Sequence, residues 1–276
     1  PRGGSSPLIR FFLGMFAMTG ALIFLGCPWR ALLRLAGGDG NAILGLLGLG
    51  TGIFIGILFL KKGFSLGRSY SQAKASGWIM PGLMIGLFFL LIFKVSFAEG
   101  GPIFFSAKGP GSMHAPIIIS LIAGLAIGAL AQRSRFCTMG ALRDVMLTRD
   151  FHLISGVLAL LVFAFATNLI LGQFNAGFEG QPVAHTNHLW NFLGMSLSGL
   201  AFALAGGCPG RQLFLSGEGD ADAGVFVLGM IVGAGISHTF AMASSPKGVA
   251  AFGPIAVIVG LIFCLIIGFT MLQRAK

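Results

Sequence analysis

The chain has 276 residues, 55% hydrophobic and 9% charged, with 18 Lys and Arg against 8 Asp and Glu and a formal net charge of +10. An ordinary soluble domain is about 25% charged, so the composition argues against a soluble enzyme and against intrinsic disorder, and for a polytopic membrane protein. The cations are too sparse and too scattered for a nucleic-acid surface.

Eight apolar runs approach the length needed to cross a bilayer. In chain order they are 11–26, 41–60, 78–97, 115–131, 153–172, 189–206, 223–243 and 254–272. The first and fourth are short and are expected to begin a turn earlier. No span contains Asp or Glu, and Lys94 lies within a turn of a span end, where it can snorkel. Gly45, Gly48, Gly52 and Gly56 recur at helical spacing in the second span, a pattern that suits close helix packing. With the loop bearing Lys61, Lys62, Arg68 and Lys74 placed in the cytoplasm, alternation puts 13 of the 18 cations inside. The 5 outside are Arg30, Arg34, Lys94, Lys108 and Lys247. That asymmetry predicts both ends of this chain on the cytoplasmic side of a bacterial-type inner membrane.

The chain repeats itself. Phe12-Leu13-Gly14-Met15 returns as Phe192 to Met195 after roughly the same interval that carries Gly26-Cys27-Pro28-Trp29-Arg30 to Gly207-Cys208-Pro209-Gly210-Arg211. An offset of 181 then holds for Leu32 and Leu213, Gly38 and Gly219, Asp39 and Asp220, Ala42 and Ala223, Gly48 and Gly229, and Gly52 and Gly233. Spans one to three therefore correspond to spans six to eight, and spans four and five have no counterpart. A five-span unit is odd, so tandem copies point in opposite directions, the inverted-repeat plan of many transporters. The expected organisation is a partial first repeat over 1–112 with three transmembrane helices and a complete second repeat over 113–276 with five. Since the chain begins at Pro1, this reading expects a longer natural protein with two further spans and a loop, roughly 70 residues; the alternative is a natural eight-span chain.

Four cysteines occur, Cys27, Cys137, Cys208 and Cys264, with no Cys-x-x-Cys pair. A quinone-coupled dithiol oxidoreductase is not expected, no spacing fits a zinc site, and neither an enzymatic role nor a cofactor is predicted. After Cys27 and after Cys208 the residues read as a short helix with Pro28 or Pro209 at its first position and Gly at its stop. Each Cys then stands near the N-cap of a half-helix that dips into the membrane. Free N–H groups and the positive dipole end attract anions there, and the sulfur offers a soft contact. Non-helical backbone at that depth must be buried in protein or line a cavity, so two such breaks imply a pathway. Arg30 and Arg211 either neutralise an anion or anchor the half-helices.

A third segment runs from Gln132 to Asp144 through Phe136 and Cys137. Ser134 is expected to cap a short helix there, and Arg143 and Asp144 to pair at its end. Cys264 reads as a small buried hydrophobe. His238 in span seven is expected to be a neutral residue bonded to a neighbouring helix, and Asn168 in span five is treated alike. His185 and His188 are expected in a solvated external loop, with a metal site as the lesser alternative. Glu218, Asp220 and Asp222 suit the start of span seven.

The paired Gly-Cys-Pro-x-Arg elements and the Phe136-Cys137…Arg143-Asp144 loop resemble the YeeE/YedE family, most nearly its group associated with selenium metabolism. The resemblance implies an all-α, many-helix inverted-repeat membrane protein with re-entrant half-helices, whose sulfur branch takes up thiosulfate along a central path of cysteines. On that likeness Cys27, Cys208 and Cys137 are the path residues, supported by Gly26, Pro28, Arg30, Gly207, Pro209, Arg211, Arg143 and Asp144. The equivalent Cys loop of the first repeat is absent from this chain. The expected function is transport of a small sulfur or selenium anion such as thiosulfate. The alternative is a thiol or persulfide carrier that passes sulfur or selenium from Cys137 to a cytosolic small sulfurtransferase-like protein.

Overall fold

The computed structural model describes residues 1–97 and 112–273. Lys108, Arg274 and Lys276, which enter the charge asymmetry, lie outside the described residues.

The chain is an all-α polytopic membrane protein. A short strand β1 (Arg2–Gly3) precedes α1 (Pro7–Phe24), α2 (Pro28–Ala36) and α3 (Asn41–Lys61). A strand β2 (Tyr70–Ser71), antiparallel to β1, and a 3-10 turn at Lys74–Trp78 lead into α4 (Ile79–Ile92). Then follow α5 (Ile117–Ser134), α6 (Thr138–Thr148), α7 (His152–Ile170), α8 (His188–Ala205), α9 (Pro209–Gly217), α10 (Ala221–Thr239) and α11 (Gly253–Thr270). Among the described residues eight helical segments are long and apolar enough to cross a membrane, and in three of them, Pro7–Ala36, Ile117–Thr148 and His188–Gly217, a long helix is followed by a short one.

The first span begins a turn early, at Pro7, as expected. The fourth does not: Pro116 precedes its first turn, and its extra length lies at the other end, through Ser134. The third span is shorter than expected. Trp78 closes the 3-10 turn and the helix stops at Ile92, so Lys94, at φ 47°, lies beyond it. The seventh stops at Thr239, where the backbone N–H groups of Met242 and Ala243 turn back to the Ser237 carbonyl.

Helix α8 is the most buried element. It packs against α1, α3, α6 and α11. The glycines of α3 explain how closely: a Cβ on Gly48 would strike the Phe192 carbonyl oxygen and one on Gly52 the Ser196 carbonyl oxygen, while Gly45 faces the Phe24 ring and Gly56 the Ala203 methyl. In α10, Gly229 stands against the Phe11 carbonyl and Gly233 against that of Met15. Phe11 and Phe192, like Met15 and Ser196, are 181 residues apart. The α3–α8 contact is thus repeated as α10–α1 with the partners exchanged, which is the behaviour of two elements related by a pseudo-two-fold axis. Helices α4, α5 and α7 lie outside this cluster and expose most of their apolar side chains, including Phe163, Ile118 and Leu125, as a lipid-facing layer does.

Two histidine readings need correction. His238 is exposed in the last turn of α10, and its neighbour Ser237 makes the interhelical contact, to Thr19 Oγ1 at 3.2 Å. His185 is buried rather than solvated: its Nε2 lies 2.7 Å from the Ile23 carbonyl, and its Nδ1 accepts the Asn187 N–H at 3.2 Å. A carbonyl only accepts and a backbone N–H only donates, so this geometry calls for the neutral ring with its proton on Nε2. Burial, helped by the charges of Arg34 and His188 and opposed by the bond to Ile23, holds the imidazole below its ordinary pKa. A depressed folded pKa means that the unfolded chain binds the proton more readily. This part of the stability is therefore complete above the unfolded value of about 6.5 and is lost as pH falls through the folded value. Thermal melts in detergent at pH 7.5 and pH 5 should show a drop that His185→Gln reduces. An equal drop in the two proteins would refute it.

Candidate functional site

Two helices break in the same way. At the end of α1, Leu25 takes the left-handed conformation at φ 65°, and at the end of α8 its repeat mate Gly206 takes it at φ 88°. The next N–H returns to the preceding turn in each case, from Gly26 to the Ala21 carbonyl and from Gly207 to that of Phe202. A left-handed residue there ends a helix and frees the chain to restart. It restarts at Cys27 (φ −79°, ψ 171°) and Cys208 (φ −71°, ψ 166°), the N-caps of α2 and α9, with Pro28 and Pro209 at the first helical position. Proline suits that place because its missing N–H would have no helical partner anyway.

The two half-helices begin beside each other. The Trp29 ring lies against the first turn of α9, where a Cβ on Gly210 would stand 2.8 Å from it. Gly210 is the repeat mate of Trp29, so the space that one side chain fills is left open by the other. Phe136 and Phe214 complete an aromatic cluster around Trp29, with ring centroids at 5.3 and 5.9 Å. Cys137 joins from the α5–α6 connection. Its Sγ accepts the Gly140 N–H at 3.2 Å and the Cys208 N–H at 3.5 Å. The structure thus brings Cys137 and Cys208 together, both buried, while Cys27 heads the facing half-helix and is half-buried. All four cysteines are free thiols, and Cys264 is buried in α11 away from the break.

Cys137 itself is the N-cap of α6. The expectation that Ser134 caps this helix is overturned: Ser134 is the last residue of α5, and its hydroxyl turns back to the Ala131 carbonyl at 3.5 Å. Arg143 and Asp144 do pair, at 2.8 Å, in the middle of α6 and not at its end.

Polar cavities lie on either side of this meeting point. One, of 470 Å³, is lined by Arg133, Arg135, Arg143 and Arg211 together with Cys137 and, from the start of α7, His152. The other, of 560 Å³, is lined by Arg30 and Arg34 of α2 and, from the end of α7, Asn168. Helix α7 has 19 residues, about 28 Å at 1.5 Å per residue, so the cavities open at opposite ends of a membrane-length helix. The repeat-related arginines divide between them, Arg30 to one and Arg211 to the other. Gly26 and Gly207 each sit beside a side chain of their own half-helix: a Cβ on Gly26 would stand 2.9 Å from Arg30 Cδ, and one on Gly207 3.0 Å from Gln212 Nε2.

Two residues of the site, Trp29 and Thr138, were not singled out from the sequence. Trp29 Nε1 and Thr138 Oγ1, like Nη1 of the expected Arg211, are buried without a hydrogen-bond partner among the described residues, all three close to the Cys137–Cys208 contact in sequence or packing. The Trp29–Gly210 size inversion in the aligned repeats was the available signal for the first. Asp220 caps α10 through the Ala223 N–H as expected, whereas Asp222 instead receives the Ser5 and Ser69 hydroxyls, both at 2.6 Å. Among the described residues no group of three or more His, Cys, Asp or Glu is placed to hold a metal.

Comparison with known proteins bears on this arrangement. The profile of the family described as Sulphur transport matches residues 133–271, half of the chain, a stretch that includes Cys137 and Cys208. The chain belongs to this YeeE/YedE sulphur-transport family. The Thiosulfate transporter TsuA of Spirochaeta thermophila is 34% identical over 101 residues, which are 36% of this chain and 29% of that protein. The Thiosulfate transporter TsuA of Escherichia coli K12 is 27% identical over 107 residues, 39% of this chain and 30% of that protein. The chain therefore aligns with less than a third of the length of either relative.

Proposed function

We propose that this member of the sulphur-transport family moves a small sulfur anion, thiosulfate or its selenium analogue, across the inner membrane through the point where α2 and α9 meet. The observation that carries this reading is the placing of the N-caps Cys27 and Cys208, with Cys137, between two arginine-bearing cavities at opposite ends of α7. Helix N-termini favour an anion without a fixed counter-charge. The thiols supply polarizable contacts for a terminal sulfur, and weak contacts at successive stations allow an ion to leave as well as enter. The names of the two relatives support thiosulfate as the first substrate to try.

In this reading the chain is an inverted pair of units, 1–112 and 113–276, with both ends cytoplasmic. The exchange of partners between α3–α8 and α10–α1 supports the pairing, and the cation asymmetry supports the orientation. The Arg211 cavity then faces inward and the Arg30 cavity outward. A second reading, in which Cys137 carries a persulfide to a cytosolic partner, is favoured by one observation: Cys137 lines the inner cavity. Proteoliposomes holding the chain and loaded with unlabelled thiosulfate should accumulate labelled thiosulfate faster than protein-free vesicles. No difference between the two would overturn the transport reading, and a stable adduct on Cys137 in its place would favour the second.

A further inference from the structure

We propose that the 560 Å³ cavity at the outward end of α7 is a docking site for a small oxyanion, built around Arg34 and reached before the cysteines. The inference rests on the transport reading above and adds Arg34, Asn168 and Gln173, to which that reading gives no role.

Arg34 is buried, and its donors are unequally used. Nε donates to Asp39 Oδ2 at 2.6 Å and Nη1 to the Phe24 carbonyl at 2.8 Å, while the guanidinium stacks on the Phe24 ring at 4.2 Å. Nη2 has no hydrogen-bond partner among the described residues, although Arg34 lines the cavity. A buried charged donor left unmatched is costly, and a ligand oxygen would complete the fork that a guanidinium presents to oxyanions.

The charge balance selects the ligand's sign. Asp39 is the one acidic residue lining this cavity among the described residues, and it is already committed. Its Oδ2 takes Arg34, and its Oδ1 takes both the backbone N–H and the side-chain amide of Asn41 at 2.9 Å. Arg34 and Asp39 cancel, and exposed Arg30 leaves the cavity with one net positive charge. The rest of the wall is polar and uncharged: Asn168 and Gln173 carry amide donors, and Gln181 fixes the loop by donating to the Asn175 and Gly177 carbonyls at 2.8 and 3.2 Å. A cation finds no free carboxylate there. An anion finds a fixed guanidinium, a second one on a free side chain, and neutral donors.

The test uses Arg30→Gln with Asn168→Ala, because neither residue holds the fold, and Arg34→Lys, which keeps the charge and removes the fork. Thiosulfate binding to the purified chain in detergent is measured by calorimetry, and uptake kinetics are measured in proteoliposomes. The double variant should bind thiosulfate about tenfold more weakly, the size expected for loss of a charge-assisted hydrogen bond. It should raise KM by a similar factor at a maximal rate within about twofold of the parent. Arg34→Lys, where it folds, should follow it. Unchanged binding and KM in the double variant, beside measurable parent uptake, would overturn the docking site and leave the transport reading standing. Parent binding that the double variant loses, without any uptake by the parent, would retain the docking site and overturn transport.

Discussion

Asp39→Ala is expected to cost about 3–5 kcal/mol, the range for breaking a buried ion pair by removing one partner. The Arg34–Asp39 pair has side-chain exposures of 7% and 3% and a 2.6 Å contact, so the remaining guanidinium would be left charged out of water. The substitution also removes the acceptor of the Asn41 N–H at the start of α3. The effect reaches further because the turn after α2 is docked on another loop. Gly40 N–H donates to the Gly177 carbonyl at 2.8 Å, Gly177 N–H to that of Gly38 at 3.0 Å, and Asn175 N–H to that of Gly37 at 2.9 Å. Gly38, at φ 98°, has the Asn175 carbonyl 2.5 Å from where a Cβ would stand, so that turn tolerates no side chain. Thermal unfolding in detergent reads the loss. The double variant Arg34→Leu with Asp39→Ala should recover part of it, since replacing both charges by apolar groups is often near neutral. A single variant as stable as the parent would show that the pair does not hold this end of α2.

Gly52→Ala and Gly233→Ala should each destabilise the protein by about 1–3 kcal/mol or more, the usual penalty of overpacking a filled interior. The new methyl would run into backbone, the carbonyl of Ser196 in one case and of Met15 in the other, and backbone cannot step aside as a flexible side chain can. Gly50→Ala and Gly235→Ala are the controls, on the same two helices with nothing within 4 Å of the new atom. They should be neutral or slightly stabilising, because alanine gives up less backbone freedom in a helix than glycine. The comparison uses melting temperature and the yield of monodisperse protein. Equal behaviour of Gly52→Ala and Gly50→Ala would contradict the packing, and unlike effects at Gly52 and Gly233 would contradict the pseudo-symmetric exchange.

The parts of this architecture that were legible in the sequence are those written in local chemistry. A Cys followed by Pro, after a Gly and at the end of an apolar run, states a helix stop and a helix start within a few residues, and Cys27 and Cys208 are both N-caps. The glycines of α3 announced close packing because their spacing matches one helix face. What escaped depends on distant neighbours. His185 sits in a loop whose sequence reads as solvated, yet it is buried with its ring on the Ile23 carbonyl, a neighbour distant in the chain. Asp222 does stand in the first turn of α10, as a helix-start acid should, but its further bonds to the hydroxyls of Ser5 and Ser69, far off in the chain, were not legible. Ser134 is a good capping residue by type, but α5 runs through it and leaves the cap to Cys137. The free Nη2 of Arg34 is a property of three partners met in space, and no spacing rule anticipates it.

Passage of the anion by the cysteines at the meeting of α2 and α9 is tested most directly by the maximal rate of thiosulfate uptake in proteoliposomes for Cys208→Ala against Cys264→Ala. Both cysteines are fully buried free thiols, so a general effect of deleting a buried sulfur falls on both alike. Cys208 caps α9 against Cys137, whereas Cys264 lies within α11. The expected result is a fall of about tenfold or more for Cys208→Ala, equivalent to at least about 1.4 kcal/mol of barrier, with Cys264→Ala close to the parent. Equal rates for the parent and Cys208→Ala would contradict the proposed path.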